Sequence, residues 1–129
     1  MIANKEFDRA RNASLKEINE IVRWKNGEDF IAILKYKAEG GRLGPTLSGY
    51  RPHIRFPFSD MLTTGRQIFI DKAIVHPGDT VRAYIKIIST NYFHKSLREG
   101  MEYEFSEGQR VIGTGRIITI LNLDLKKDV

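Results

Sequence analysis

The spacing of apolar residues changes once along the chain, close to residue 27. Before that point apolar residues recur at helical spacing, namely at Leu15, Ile18, Ile21 and Val22. Ser14 and Glu17 fit a capping box, in which each side chain satisfies a free backbone N–H of the first turn. Gly27 is a natural helix end. The pattern therefore predicts a helical N-terminal extension over residues 1–27.

The predicted helix is apolar on one side only, so its apolar stripe has to be covered. Either the rest of the chain or a partner could cover it. If residues 14–24 cover a face of the following domain, the chain is a self-contained monomer. If they project from that domain, oligomerisation or a partner is favoured.

From Asp29 onward the spacing is that of β-strands, most clearly at residues 80–88. One face of that run holds Val81, Ala83, Ile85 and Ile87, and the other holds Arg82, Tyr84 and Lys86. The basic and aromatic face either follows a nucleic-acid backbone or is simply solvated. Further strand-like runs cover residues 30–37, 53–58, 67–75, 101–105 and 110–121. About six strands separated by turns predict a small antiparallel barrel or sandwich over residues 28–123.

The segments between these runs are predicted to be connections. Residues 59–66 are expected to form a short linker, and residues 76–79 a turn because of their Pro-Gly pair. Residues 89–100 are a polar connection. Pro57 favours a sheet edge or a bulge. Residues 124–129 are a charged tail that is expected to fray.

The last two runs form a hairpin whose register depends on the length of its loop. A three-residue loop would place Phe105 opposite Val111. It would also place Tyr103 opposite Gly113, and the two rings would cover Gly113 and Gly115, as aromatic rings do over glycines in sheets. A two-residue loop would bring the phenylalanine opposite an arginine, which packs less well. We therefore predict the first register.

Residues 39–52 are a long connection without a periodic pattern of its own. They hold four of the eleven glycines and two of the four prolines. Such a connection is usually functional or held by packing. In one interpretation Arg42 and Arg51 present their fork-shaped donors to phosphate or carboxylate groups. In the other, the segment is a crossover whose arginines pair with nearby acidic residues.

Composition and charge narrow the choice of function. The 129 residues suffice for one domain, and 21 basic against 16 acidic residues give a net charge of +5. This charge permits attraction to nucleic acid or to acidic protein surfaces. The absence of cysteine excludes disulfides and cysteine-based metal sites. No apolar run is long enough for a membrane span or a signal peptide, so we expect a cytoplasmic protein without membrane partners.

Few residues are candidates for catalysis or metal binding. Three histidines lie far apart and form no two-residue metal motif, namely His53, His76 and His94. Glu102 and Glu104 share a strand face and could act as an acid–base pair. Pairing with Arg110 or Arg116 across the hairpin is the favoured alternative. We therefore expect no enzymatic activity, no metal and no cofactor.

Six motifs occur in the order and spacing of one known domain. They are Glu-Gly-Gly-Arg at 39–42, Gly-Tyr-Arg-Pro at 49–52, the aromatic strand to Asp60, Thr64-Gly65, Pro-Gly-Asp at 77–79, and Glu107-Gly108 with Arg110 and Gly113-Thr-Gly115. In this order they resemble the third, C-terminal domain of bacterial elongation factor Tu. The resemblance covers roughly residues 28–121. The chain resembles that domain standing alone, with its own helical N-terminus.

The resemblance implies a six-stranded antiparallel Greek-key β-barrel, so the expected fold is all-β with an N-terminal α-helical extension. In the whole factor this barrel follows a GTPase domain and a second barrel. It helps to hold the T-stem backbone of aminoacyl-tRNA and touches the nucleotide exchange factor. The chain has no Gly-x-x-x-x-Gly-Lys-Ser/Thr loop, so we expect no GTP binding.

The resemblance also implies which residues would contact RNA. These residues are Arg42, Arg51, His53, Thr64, Glu107 and Gly108, with Thr63 as the alternative to Thr64. Several neighbouring positions depart from the family. Leu43 stands where the family usually has histidine, and His53 replaces a glutamine. Ser106 replaces a basic residue and Gln109 a second glycine. Roughly half of the family's RNA-facing set is therefore kept.

Two functions follow as expectations. The first is a non-enzymatic, translation-factor-like module that binds tRNA or another RNA through backbone contacts. The second is a protein-interaction module that mimics a translation factor, or docks onto its protein partners, without binding RNA. The net positive charge favours the first function, whereas the changed RNA-facing positions favour the second.

Overall fold

A computed structural model of the chain describes residues 27–128. The helical extension predicted for residues 1–27 lies outside this part, except for Gly27. The strands are β1 (Phe30–Tyr36), β2 (Thr46–Leu47), β3 (His53–Arg55), β4 (Leu62–Phe69), β5 (Ile74–Val75), β6 (Thr80–Ile87), β7 (Glu102–Glu107) and β8 (Arg110–Ile120). Two short 3₁₀ helices cover Thr90–Phe93 and Leu123–Leu125. Within the described part, no helix has the length and apolar character needed to cross a membrane.

Six of the strands close into a barrel. Their order is β1-β6-β4-β3-β7-β8, all neighbours are antiparallel, and β2 pairs with β5 in a separate ribbon. Strands β3, β4, β6 and β7 follow one another along the chain as barrel strands. The last of them, β7, lies beside the first, β3, so the four strands form a Greek key. Of the two architectures that the strand pattern left open, the structure confirms the barrel.

The core fills the inside of the barrel with alternate residues of each strand. The inward residues of β6 are the predicted ones, Val81, Ala83, Ile85 and Ile87, and all four are buried. Aromatic rings fill much of the remaining space. The ring centroids of Phe30 and Tyr103 are 5.9 Å apart, and those of Tyr36 and Phe105 are 5.0 Å apart. Edge-to-face pairs of this kind add roughly 0.5–1.5 kcal/mol each beyond the area that they bury.

The hairpin of β7 and β8 differs from the predicted register. Phe105 lies opposite Gly113, not Val111, and Tyr103 lies opposite Gly115. The predicted pairing is therefore wrong. The predicted covering of the glycines is nevertheless confirmed, since a Cβ built on Gly113 would collide with the ring of Phe105, and one built on Gly115 with the ring of Tyr103.

Two features of the hairpin produce this register. The turn consists of residues 108–109, so Glu107 pairs with Arg110. The register then shifts by one residue at a bulge between Phe105 and Ser106. Because a bulge sets two residues of one strand against one of its partner, the loop length alone does not determine the register.

Strand β4 begins earlier than predicted. It starts at Leu62, so the predicted linker over residues 59–66 is wrong from that point onward. The buried positions of β4 are Thr63, Gly65, Gln67 and Phe69. Only the last of these is a large apolar residue, so the strand has little of the apolar alternation that marks strands in a sequence. The predicted run at 67–75 divides into the end of β4 and the short β5.

The segment that follows β8 is anchored to the barrel. Leu125 is buried, and its carbonyl accepts a hydrogen bond of 2.8 Å from the N–H of Leu97. The N–H of Lys127 donates to the carbonyl of Leu97 at 2.7 Å. Leu97 and Phe93, from the connection after β6, belong to the same buried cluster as Leu125. The prediction that residues 124–129 fray is therefore wrong for residues 124–127.

Candidate nucleic-acid interface

Three neighbouring parts of the barrel place cations on one outer face. Arg66 of β4 lies directly opposite Lys86 of β6. Arg51 lies just before β3, on the other side of β4. With Thr64 they line a shallow cavity of about 110 Å³, which the end of β6 completes. We call Arg51, Thr64, Arg66 and Lys86 the basic cleft.

A buried carboxylate lies behind the basic cleft. Glu28 Oε1 accepts a hydrogen bond of 2.5 Å from Arg66 Nη2, and the Glu28 side chain is fully buried. Burial raises the pKa of Glu28, while the hydrogen bond and charge of Arg66 act in the opposite direction. Lys86 Nζ donates to the carbonyl of Gly27 at 3.2 Å. The acid holds one cation of the cleft in place and offsets its charge.

Arg51 is the exposed cation of the cleft. Among the described residues, 27–128, its side chain is exposed and makes no hydrogen bond or ion pair. His53 continues the same face, because it lies between Thr64 of β4 and Ser106 of β7. An exposed fork-shaped donor beside a hydroxyl and a histidine suits the oxygens of a phosphate group.

A second cluster forms where the loop after β1 meets the β7–β8 turn. Arg42 Nη1 lies 2.6 Å from Glu107 Oε2, and its guanidinium carbon lies 4.6 Å from the centre of the Tyr50 ring. The Tyr50 hydroxyl donates to the same Glu107 oxygen at 2.5 Å. Arg42 Nη2 also donates to the carbonyl of Pro45 at 3.2 Å. We call Arg42, Tyr50 and Glu107 the loop cluster.

The loop cluster shifts the titration of its members. The hydrogen bond from Tyr50, followed by the charge of Arg42, lowers the pKa of Glu107. Burial and the hydrogen bond to Glu107 raise the pKa of Tyr50 to about 12. Glu107 is therefore a carboxylate and Tyr50 a neutral donor at neutral pH. This arrangement fits the second interpretation of the long loop, in which Arg42 is paired with an acidic residue.

The predicted RNA-binding residues fall on adjoining parts of the surface. Arg51 and Thr64 belong to the basic cleft, and His53 lies beside it. Arg42 and Glu107 belong to the loop cluster. Tyr50 and Arg51 are consecutive residues, so the two clusters adjoin where the long loop enters β3.

Gly108 occupies the turn between β7 and β8. Its φ is +60°, a conformation that glycine adopts without strain. The turn accounts for a glycine at this position. A contact between Gly108 and RNA stays a prediction.

Sequence reasoning missed Arg66 as an RNA-binding candidate, because the residue falls in the predicted linker. Lys86 belongs to the basic and aromatic face of β6, for which contact with a nucleic-acid backbone was one of the two interpretations. The signal that could have revealed Arg66 is its alternation with Thr64 on the outer side of β4. With the strand extended to Leu62, these two residues share a face with Lys86.

The expected ion pairing of the hairpin carboxylates is confirmed for one of them. Arg116 Nη2 lies 3.2 Å from Glu102 Oε2 across the hairpin, whereas Glu104 lies opposite Thr114. Among residues 27–128, no group of three or more histidine or acidic side chains is placed to hold a metal ion.

A comparison with models of known protein families finds no match to this chain. The geometry places the described part of the chain in the class of closed, six-stranded antiparallel barrels. Its outer face carries a basic cleft.

Proposed function

We propose that this chain is a non-enzymatic binding module that holds the sugar–phosphate backbone of RNA, with tRNA as the first candidate. The observation that carries the proposal is the basic cleft, in which three cations and a hydroxyl line one cavity. Loops and side chains of this face would present donors to RNA without taking part in a reaction.

The chemistry of the cleft suits phosphate oxygens better than a neutral ligand. Arg51 offers an exposed bidentate donor, and Lys86 offers a flexible point charge. Thr64 offers a hydroxyl between them. Such contacts supply affinity that does not depend on base sequence and that weakens as salt is added. The ligand is therefore expected to be recognised by its shape and charge.

The motif order supports tRNA in particular. The chain resembles the third domain of bacterial elongation factor Tu, and a closed six-stranded barrel is the fold that this resemblance implies. In that factor the domain helps to hold the T-stem backbone. We propose the same kind of ligand here, met in the cytoplasm, with the contact centred on Arg51, Thr64 and the neighbouring Arg66 and Lys86.

Single alanine variants test the proposal. Fluorescence anisotropy with labelled tRNA at low salt is expected to show weaker binding for Arg51→Ala and for Lys86→Ala. Arg116→Ala is a matched control, because Arg116 is an exposed arginine of β8, which lies across the barrel from β4. It should bind like the unchanged chain. Equal losses in all three variants, or no binding of tRNA at all, would rule the proposal out.

A second candidate function is that of a protein-interaction module. The observation in its favour is an open groove lined by Pro57, Phe58, Met101 and the ends of the neighbouring connections. Phe58 is 48% exposed and stacks on the buried Phe56 with ring centroids 5.8 Å apart. A partner of translation factors could insert an apolar side chain beside this ring.

One pull-down experiment distinguishes the two proposed functions. The chain is used as bait in one lysate with and without nuclease treatment, beside its Phe58→Glu and Arg51→Ala variants. If the second function holds, a translation-machinery protein is recovered by the unchanged chain and by Arg51→Ala, and is lost with Phe58→Glu. Recovery that depends on Arg51 and disappears after nuclease treatment supports RNA binding instead.

A further inference from the structure

The loop cluster is centred on one carboxylate oxygen. Glu107 Oε2 lies 2.6 Å from Arg42 Nη1 and also accepts the hydrogen bond of the Tyr50 hydroxyl. Among residues 27–128, Glu107 is the only acidic side chain that forms an ion pair with Arg42. The charge of this arginine is therefore offset by a single carboxylate, which the end of β7 supplies.

Arg42 is held in place by more than this carboxylate. Its guanidinium carbon lies 4.6 Å from the centre of the Tyr50 ring, and its Nη2 donates to the carbonyl of Pro45. An arginine that stacks on an aromatic ring still offers the N–H donors in its plane to an anion. The Arg42 side chain is 24% exposed, whereas that of Glu107 is 47% exposed. Glu107 is thus the more exposed partner of the ion pair, and its departure would leave a positioned cation.

The loop cluster is fixed beside the basic cleft by backbone hydrogen bonds. The carbonyl of Tyr50 accepts a bond of 2.9 Å from the N–H of Gln67, and the carbonyl of Pro52 accepts one of 3.0 Å from the N–H of Gly65. Arg51, which lines the cleft, lies between these two anchored residues. An anion bound in the cleft therefore approaches the carboxylate of the loop cluster, which is bonded to the Tyr50 side chain.

Phosphate and carboxylate groups compete for the same donors, because both accept two N–H bonds from a guanidinium. An exposed ion pair contributes little to stability, so a ligand that brings a row of phosphates can exchange the carboxylate for a phosphate of its own.

We propose that Glu107 is an autoinhibitory residue of the RNA-binding face. Its carboxylate masks Arg42 in the free protein, and an RNA phosphate displaces this carboxylate from the arginine on binding. The inference rests on the proposed RNA-binding function. It makes Glu107 a residue that limits the affinity for RNA.

Glu107→Gln in the full chain tests the proposal, because it removes the charge of the carboxylate and keeps the size of the side chain. Fluorescence anisotropy with labelled tRNA at low salt should show binding tightened by roughly 1.4- to 5-fold, which is the strength of an exposed ion pair expressed as a ratio of affinities. Glu104→Gln is the matched control, because Glu104 lies on the outer side of the same strand and makes no ion pair with residues 27–128. It should change the affinity less. Equal tightening in both variants would overturn the proposal, because the loss of any negative charge would then explain it.

Removal of Arg42 shows whether the carboxylate acts through this arginine. In an Arg42→Ala chain, Glu107→Gln should tighten tRNA binding no more than Glu104→Gln does. Tightening of the same size with and without Arg42 would contradict the proposal, because Glu107 would then act by repelling the RNA directly. Arg42→Gln takes the place of Arg42→Ala if circular dichroism shows that the alanine variant is unfolded.

Arg51→Ala, measured beside these variants, separates the inference from the proposed function. If the chain binds tRNA, loses affinity with Arg51→Ala and gains none with Glu107→Gln, the proposed function stands and the autoinhibitory contact is refuted. If neither the unchanged chain nor Glu107→Gln binds tRNA at low salt, the proposed function fails and the inference fails with it. A gain of affinity in Glu107→Gln that depends on Arg42 is the result that the inference predicts.

Discussion

At the scale of single residues, Glu28 sets the charge of the basic cleft. Its side chain is fully buried, with one oxygen bonded to Arg66 and the other without a partner among residues 27–128. A buried carboxylate with an unsatisfied oxygen is costly in its charged form. The residue therefore orients Arg66 and at the same time weakens the cleft's attraction for anions.

The raised pKa of Glu28 predicts a pH dependence of stability. The folded state holds its proton at a pH where the unfolded chain, with a pKa near 4.5, has lost it. The contribution of Glu28 to stability should therefore fall as the pH rises above 4.5 toward the folded-state pKa. Glu28→Gln should remove this contribution. Urea unfolding of both chains between pH 4 and 7 measures it, and parallel curves would contradict the expected difference in slope.

For Glu107 of the loop cluster, the contribution to stability is expected to depend on pH in the opposite direction to that of Glu28. Its folded-state pKa is lowered, so its stabilising contribution is present above its ordinary pKa of 4.5 and is lost as the pH falls through the folded value. Because the side chain is 47% exposed, Glu107→Gln should cost only about 0.2–1 kcal/mol at pH 7. Chemical denaturation at a series of pH values from 7 downward measures the difference. A cost that does not decrease as the pH falls would contradict the ion pair as its cause.

At the scale of secondary-structure elements, strands with apolar inward positions were predictable. The alternation of Val81, Ala83 and Ile85 identified β6 and its faces. Strand β4 was partly missed because Thr63, Gly65 and Gln67 occupy buried positions without large apolar side chains. The hairpin register was missed for another reason. A bulge changes which residues face each other without leaving a pattern in the sequence.

The covered glycines of β8 predict a local packing effect. A Cβ on Gly115 would collide with the Tyr103 ring, which is buried and cannot move aside easily. Gly115→Ala should therefore lower the free energy of unfolding by roughly 1–3 kcal/mol. Gly44→Ala is the control, since among the described residues nothing lies within 4 Å of the added Cβ. It should change stability by less than about 0.5 kcal/mol. Equal effects in thermal or urea unfolding would refute the packing explanation.

At the scale of the whole molecule, barrel closure decides which residues meet. Arg42 pairs with Glu107 although 65 positions separate them in the chain. Sequence reasoning named both residues through a family resemblance, but their contact follows only from the folded loops. Arg51 and Thr64 were likewise named, and the barrel brings Arg66 and Lys86 beside them. The class of fold was therefore predictable from the sequence, whereas the composition of the surface clusters depended on the three-dimensional structure.

The salt dependence of RNA binding tests the central proposal most directly. The dissociation constant for tRNA is measured against sodium chloride concentration for the unchanged chain and for the double variant Arg51→Ala with Lys86→Ala. Each phosphate contact contributes about −0.7 to −0.9 to the slope of log affinity against log salt. The double variant should bind more weakly, with a slope reduced in magnitude by about 1.4 to 1.8. An unchanged slope in the double variant, or no binding of the unchanged chain at low salt, would contradict the account.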